Sequence, residues 1–152
     1  MAIDRARALA MKLPTYDVQL ERGRLRFFAK AIGETNPVYS DLDAARLAGH
    51  RDLPVPPTFF FSVSLEADDP FRYLTDVGID LRHVLHGEQH FAYGAMAYAG
   101  DTLIVGEQIV DVTSKRGGAM ELLTKETTFS REGEQVAVGT TVIVVRNPEV
   151  TA

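Results

Sequence analysis

The sequence predicts an α+β domain, with helices packed on one face of an antiparallel sheet of long strands. Three observations carry this. Pro56-Pro57-Thr58-Phe59-Phe60-Phe61 opens an apolar run that reads as a buried helix over residues 57–65, with Pro57 at its first position. From Val84 onward the texture changes to extended runs rich in Val, Ile, Thr and aromatics. Helical patterns come first and strands last, an order that separates α+β from alternating α/β folds.

Residues 1–13 form a helix with Ile3, Leu9 and Leu13 on one side, or fray, up to the break at Pro14. Residues 16–20 read as a short strand or an extended lead-in. Leu25, Phe28, Ala29 and Ile32 then recur at helical spacing, and Gly33 is placed to stop that helix in a left-handed conformation. Pro37 turns the chain, since it forces Asn36 out of the helical region. Ser40 or Asp41 caps a second short helix that Gly49 ends. Residues 50–57 hold Pro54, Pro56 and Pro57 and are a loop.

The run at 58–65 is apolar on every side, which predicts burial on every side; a strand is the alternative for so Phe-rich a segment. Asp68-Asp69-Pro70 opens another short helix through Tyr73 and Leu74, closed by Gly78. Strands are expected over 86–93, 102–113, 119–130 and 134–146, the last three as a meander joined by Gly-containing hairpins and the first joined by a wider turn. The final strand is apolar at both alternating sets, so both faces need cover, one from the buried helix and the other from a second subunit.

Composition narrows the function classes. A chain of 152 residues supports one domain with a real core. A net charge of −5 argues against non-specific nucleic-acid binding. With no Cys there is no disulfide, thiolate metal site or Cys nucleophile. No apolar run reaches the ~18 residues a membrane span needs. The first thirteen residues do not read as a signal peptide, so the cytoplasm is the expected compartment. The histidines, His50, His83, His86 and His90, show no metal-ligand spacing with a carboxylate, so no metal is expected. Ser62 and Ser64 lack the Gly-x-Ser-x-Gly setting of a hydrolase.

Candidate site residues cluster at the corner Glu34-Thr35-Asn36-Pro37-Val38-Tyr39-Ser40-Asp41, a helix–turn–helix joint with polar side chains exposed. A capped loop explains most of the same letters. His86 is the histidine singled out, at a strand start beside Gly87, which allows close approach. His50 is placed to line an entrance. Phe59 and Phe60 are core residues first, with tunnel lining as a second role.

The buried Pro-Pro-Thr-Phe-Phe helix wrapped by long antiparallel strands resembles the hotdog fold. Asn36-Pro37-Val38-Tyr39-Ser40-Asp41, then Ala44-Ala45 and Gly49, is similar to the MaoC-type (R)-specific enoyl-CoA hydratase and 3-hydroxyacyl dehydratase family. Leu85-His86-Gly87-Glu88-Gln89, then Tyr93 and Ala99-Gly100-Asp101-Thr102-Leu103, resembles its N-terminal-type branch, the fatty-acid-synthase-like dehydratases. The resemblance spans residues 16–146 and implies a single hotdog domain over 1–152, with 1–13 as an N-terminal extension.

The active family pattern is Asp-x-Asn-Pro-x-His, whose Asp and His handle the α-proton and the β-hydroxyl. Here Glu34 stands at the Asp position and Tyr39 at the His position, while Asn36 and Pro37 match. Glu reaches one methylene further, and a tyrosine with a pKa of ~10 is a poor base at neutral pH.

The resemblance implies a dimer, with itself or with another hotdog subunit, that binds an acyl thioester carried on coenzyme A or acyl carrier protein and uses no further cofactor. Two function classes follow. One is reversible hydration of a 2-enoyl thioester, with Glu34 and His86 or Tyr39 moving protons and Asn36 orienting water. In the other, a non-catalytic subunit holds the acyl chain for a partner with the intact pair. A thioesterase using Glu34 or Glu88 is a lesser third.

Overall fold

The computed structural model describes residues 3–147 and Val150. Asp4 caps α1 (Arg5–Ala10) by accepting from the Arg7 N–H at 3.0 Å. The Ile3 N–H donates to both Glu121 carboxylate oxygens at 3.0 Å, and Arg5 donates to the Val112 carbonyl at 3.2 Å. The start of the described chain is therefore tied down on the sheet. Strand β1 (Tyr16–Gln19) follows the break at Pro14.

Helix α2 (Arg22–Ala31) buries Leu25 and Ala29, with Phe28 half-buried. Ile32, expected on the same face, is 52% exposed. The helix has ended before it, so helical spacing no longer sets its direction. Gly33 takes φ +72° and its N–H donates to the Lys30 carbonyl at 3.1 Å, which closes the helix end. One turn of 3-10 helix, Pro37–Tyr39, makes the corner. Of the two candidate caps for α3 (Leu42–Leu47), Asp41 does the work, accepting from the Ala44 N–H at 2.9 Å.

The apolar run is a helix, α4 (Phe59–Val63), shorter than the expected 57–65. Phe59, Phe60 and Val63 are buried, but Phe61 and Ser62 are half-buried and Leu65 is exposed. The expectation of burial on every side is thus corrected. One face of α4 lies on the sheet, and the other borders clefts that the chain does not fill. Helix α5 (Arg72–Asp76) buries Tyr73 and Leu74.

The strands β2 (Val84–Tyr93), β3 (Thr102–Lys115), β4 (Met120–Arg131) and β5 (Glu134–Arg146) complete a five-stranded antiparallel sheet in the order β1-β3-β4-β5-β2. β3, β4 and β5 form the expected meander. β2 does not extend it beside β3. It crosses to the far edge and pairs with β5, from Val84 opposite Val145 to Tyr93 opposite Ala137.

The inner face of the sheet carries two apolar clusters. The first joins Leu25, Phe59, Phe60, Leu103, Phe129 and Ala137; the second joins Ile3, Leu74, Ile109, Leu123, Ile143 and Val145. Each of the Val, Leu, Ile and Phe side chains among them is worth ~1.5–3 kcal/mol when fully buried. On β5 the inner set Ala137, Ile143 and Val145 is buried, whereas in the other set Val136 is buried and Val138, Val142 and Val144 stay half-exposed. The helices cover one face only, and the architecture is the hotdog fold that the resemblance implied.

Candidate functional site

At the corner, local hydrogen bonding engages Glu34 and Asn36. Glu34 is exposed, and its Oε1 accepts from the Asn36 N–H at 2.8 Å. Asn36 is exposed too, and its Oδ1 accepts from the Val38 N–H at 3.2 Å, capping the 3-10 turn. Tyr39 is half-buried. Arg26 fastens the corner to α2 by donating to the Ser40 carbonyl at 2.8 Å. The three candidates thus share one turn, as Pro37 dictates, and two of them use an oxygen to hold that turn.

His86 lies elsewhere. It is exposed on β2, its ring 5.1 Å from that of Phe61, and its Nε2 lies 3.2 Å from the Glu88 carbonyl oxygen. A carbonyl only accepts, so this geometry puts the proton on Nε2. His86 borders a cleft of about 320 Å³ with Phe61, Leu74, Lys125 and Ile143; Glu34, Asn36 and Tyr39 take no part in it. A single chain therefore does not bring His86 to the corner. Gly87 has a packing role: it sits at the bulge between His86 and Glu88, where a Cβ would meet Val144 Cγ2 at 2.8 Å and the Val142 carbonyl oxygen at 3.1 Å.

Of the other predicted residues, Phe60 is core, packed on Phe91, Tyr93 and Phe129 with ring centroids 5.1–6.4 Å away. Phe59 is buried edge-on to Phe28 at 5.2 Å and also walls a second cleft beside α2, with Gly23, Arg24 and Phe27. Half-buried His50 ties its loop to the turn before β3, its Nδ1 3.3 Å from the Tyr98 hydroxyl. No group of three or more His, Cys, Asp or Glu suited to a metal occurs among the described residues.

Sequence reading missed the polar band on the inner face of the sheet. Lys125 and Glu107 form an ion pair at 2.5 Å, with side chains only 6% and 7% exposed. Thr127 donates to the same Glu107 oxygen at 3.3 Å. Thr141 donates to Gln89 at 2.7 Å, and the Tyr16 hydroxyl donates to the Ser64 carbonyl at 3.1 Å. The signal was present: Lys125 and Thr127 are in phase with Leu123 and Phe129, so period-two alternation turns them inward. Burial chiefly, with the Glu107 carboxylate adding to it, pushes the Tyr16 and Tyr73 hydroxyls well above their usual range. Both phenols stay protonated and can donate.

A long-stranded antiparallel sheet wrapped on a central helix, with an Asn-Pro corner and open clefts beside that helix, defines a hotdog domain. Residues 8–138 match the family described as FAS1-like, dehydratase domain region, and the chain belongs to that family. A UPF0336 protein of Streptomyces coelicolor is 34% identical over 149 residues, covering 98% of this chain and 99% of that one. The truncated HadBC (3R-hydroxyacyl-ACP dehydratase) complex of Mycobacterium tuberculosis superposes with a TM-score of 0.75 at 21% identity, covering 88% of this chain and 92% of that one. The ChsH1-ChsH2 complex of Mycobacterium tuberculosis gives 0.75 at 21% identity, with 94% of each chain covered. Among the described residues no helix is long and apolar enough to cross a membrane.

Proposed function

We propose that the chain is the acyl-binding member of a MaoC-like dehydratase dimer, holding a thioester on coenzyme A or acyl carrier protein while a second hotdog subunit does the chemistry. The observation that carries this is the state of the corner. Dehydration of a 3-hydroxyacyl thioester needs a base for the α-proton and an acid for the departing β-hydroxyl, both within reach of the substrate. Here the Glu34 and Asn36 side chains bond within their own turn, and Tyr39 replaces the histidine.

The open edge of the sheet supports a partner. β2 pairs only on its β5 side among the described residues, and Leu85 and Tyr93 on it are 53% and 54% exposed. A long unpaired edge of this kind is a template for another strand. The two solved neighbours named above are themselves complexes, which is in keeping with a hotdog partner. The reading needs no cofactor beyond the carrier, because the thioester itself acidifies the α-carbon, and it places the protein in the cytoplasm.

A second reading, catalysis by this chain with Glu34 as base, draws on the exposure of Glu34 at the corner, where a partner's surface can close over it. Calorimetric titration with a saturated acyl-CoA separates the two when wild type and Glu34→Gln are run side by side with enoyl-CoA turnover. The acyl-binding reading expects equal affinity and no turnover in either, and turnover once a hotdog with the intact Asp-x-Asn-Pro-x-His pattern is added. Turnover by the wild type that Glu34→Gln lowers ~10²–10⁴-fold would establish the second reading instead. A wild type that neither binds nor supports a partner would defeat both.

A further inference from the structure

The cleft beside β2 has a counterpart on the same inner face, nearer β1. A larger cleft, of about 560 Å³, opens toward β1 and is bordered by Tyr16, Glu66, Tyr73 and Glu107. The two meet at one place. Tyr73 and Pro70 border both, Glu107 borders the β1-side cleft, and Lys125 borders the β2-side cleft. The Lys125 ammonium lies 4.7 Å from the Tyr73 ring centroid and bonds Glu107 at 2.5 Å. The wall between the clefts therefore includes a buried ion pair with an aromatic ring over it, beside Pro70.

We infer that Lys125, Glu107 and Tyr73 form a partition across a channel beneath the end of α4, and that it sets the length of the acyl chain the β2-side cleft accepts. This rests on the acyl-binding reading above. The occupant is the apolar chain of a thioester. Phe61, Leu74, Leu85 and Ile143 border the β2-side cleft and offer it apolar contact. Leu85 and His86 bring that cleft to the open edge strand, where a second subunit would hand the chain across.

An apolar terminus that advances to Lys125 meets a charged pair already satisfied within the protein. It can neither replace those contacts nor displace them without leaving a buried charge uncompensated. Replacing a buried pair by apolar groups of similar size is often neutral or stabilising. Fold stability alone therefore does not call for charges here, and a polar stop does. Tyr73, kept protonated by burial and by Glu107, closes the gap above the pair without adding a second negative charge.

The test is isothermal titration of the purified chain, in the assembly it forms, with straight-chain acyl-CoA esters from butyryl to palmitoyl. The wild type should bind more tightly as the chain lengthens up to a limit, then stop gaining. Two variants remove the partition in different ways: the double substitution Glu107→Leu with Lys125→Met, which keeps the volume, and Tyr73→Ala, which opens the gap. Circular dichroism melting confirms that each is folded. Both should move the limit to longer chains, with at least about a tenfold gain for esters beyond the wild-type limit, or ~1.4 kcal/mol. A wild type whose affinity rises all the way to palmitoyl, or a limit unchanged in the folded variants, would overturn the partition while leaving acyl binding intact. A wild type that binds no ester would overturn acyl binding itself, and the partition with it.

Discussion

Arg22 holds Asp52 through two bonds, from Nε at 2.9 Å and from Nη2 at 2.6 Å, and so ties α2 to the proline loop. This pairing, against a smaller opposing effect of burial and with help from the Leu53 N–H, lowers the Asp52 carboxyl to about 2. Asp101 does the same for the turn before β3. Burial works to raise its carboxyl, but bonds from Arg51, the Tyr98 N–H and Arg131 outweigh it and hold it below the usual range. Both shifts have one sign: the folded state binds fewer protons than the unfolded chain at acid pH. Their contribution is whole above the ordinary carboxyl value of ~3.9 and is lost as pH falls, for Asp52 through about 2. The melting temperature should therefore drop between about pH 4 and pH 2, and Asp101→Asn should lower it at neutral pH while flattening that drop. Melting followed by circular dichroism across this range checks it; a wild-type midpoint independent of pH there would contradict the assignment. Neither aspartate was legible as a clasp. Asp101 sits in an Ala-Gly-Asp turn that explains itself locally, and its partner Arg131 is distant in sequence. Asp41 was legible as a cap because that bond spans three residues.

The elements repeat the division between near and far. Helix α4 and the β3–β4–β5 meander were readable because a leading proline, alternation and short Gly turns are local signals. The crossing of β2 to the edge beside β5 was not, since pairing between strands separated by two others in sequence leaves no mark on either strand's periodicity. The exposed side of α4 was missed for a related reason. An all-apolar run predicts burial on every side, yet Phe61 faces a cleft that the chain leaves open. At the corner Pro37 made the shared turn of Glu34, Asn36 and Tyr39 legible, but not the bonds that occupy Glu34 and Asn36. Gly87 offers a test at this scale. A Cβ there runs into Val144 and the Val142 carbonyl oxygen, so Gly87→Ala must move backbone as well as side chain. It should cost ~1–3 kcal/mol, measured as a lower urea midpoint at unchanged slope. A midpoint equal to the wild type would show that the bulge gives way freely.

Across the whole molecule, the sheet has one covered face, a half-exposed outer face and an open edge at β2. The proposed function has that edge and face covered by another hotdog subunit. Light scattering at micromolar concentration should give at least twice the 16.7 kDa of one chain. Leu85→Lys, which puts a charge on that edge, should shift the mass toward the monomer. A stable monomer in the wild type would argue against the partnered site. Under the proposed function, the partition under α4 and the corner with Glu34 and Tyr39 serve one end: this subunit would measure and hold the chain while another subunit reacts with it. The direct measurement is hydration of crotonyl-CoA followed at the enoyl absorbance, with the purified chain alone and then with an added hotdog carrying Asp-x-Asn-Pro-x-His. The account predicts no turnover from the chain alone and turnover in the mixture above that of the added subunit by itself. Steady hydration by the chain alone, abolished by Glu34→Gln, would contradict it.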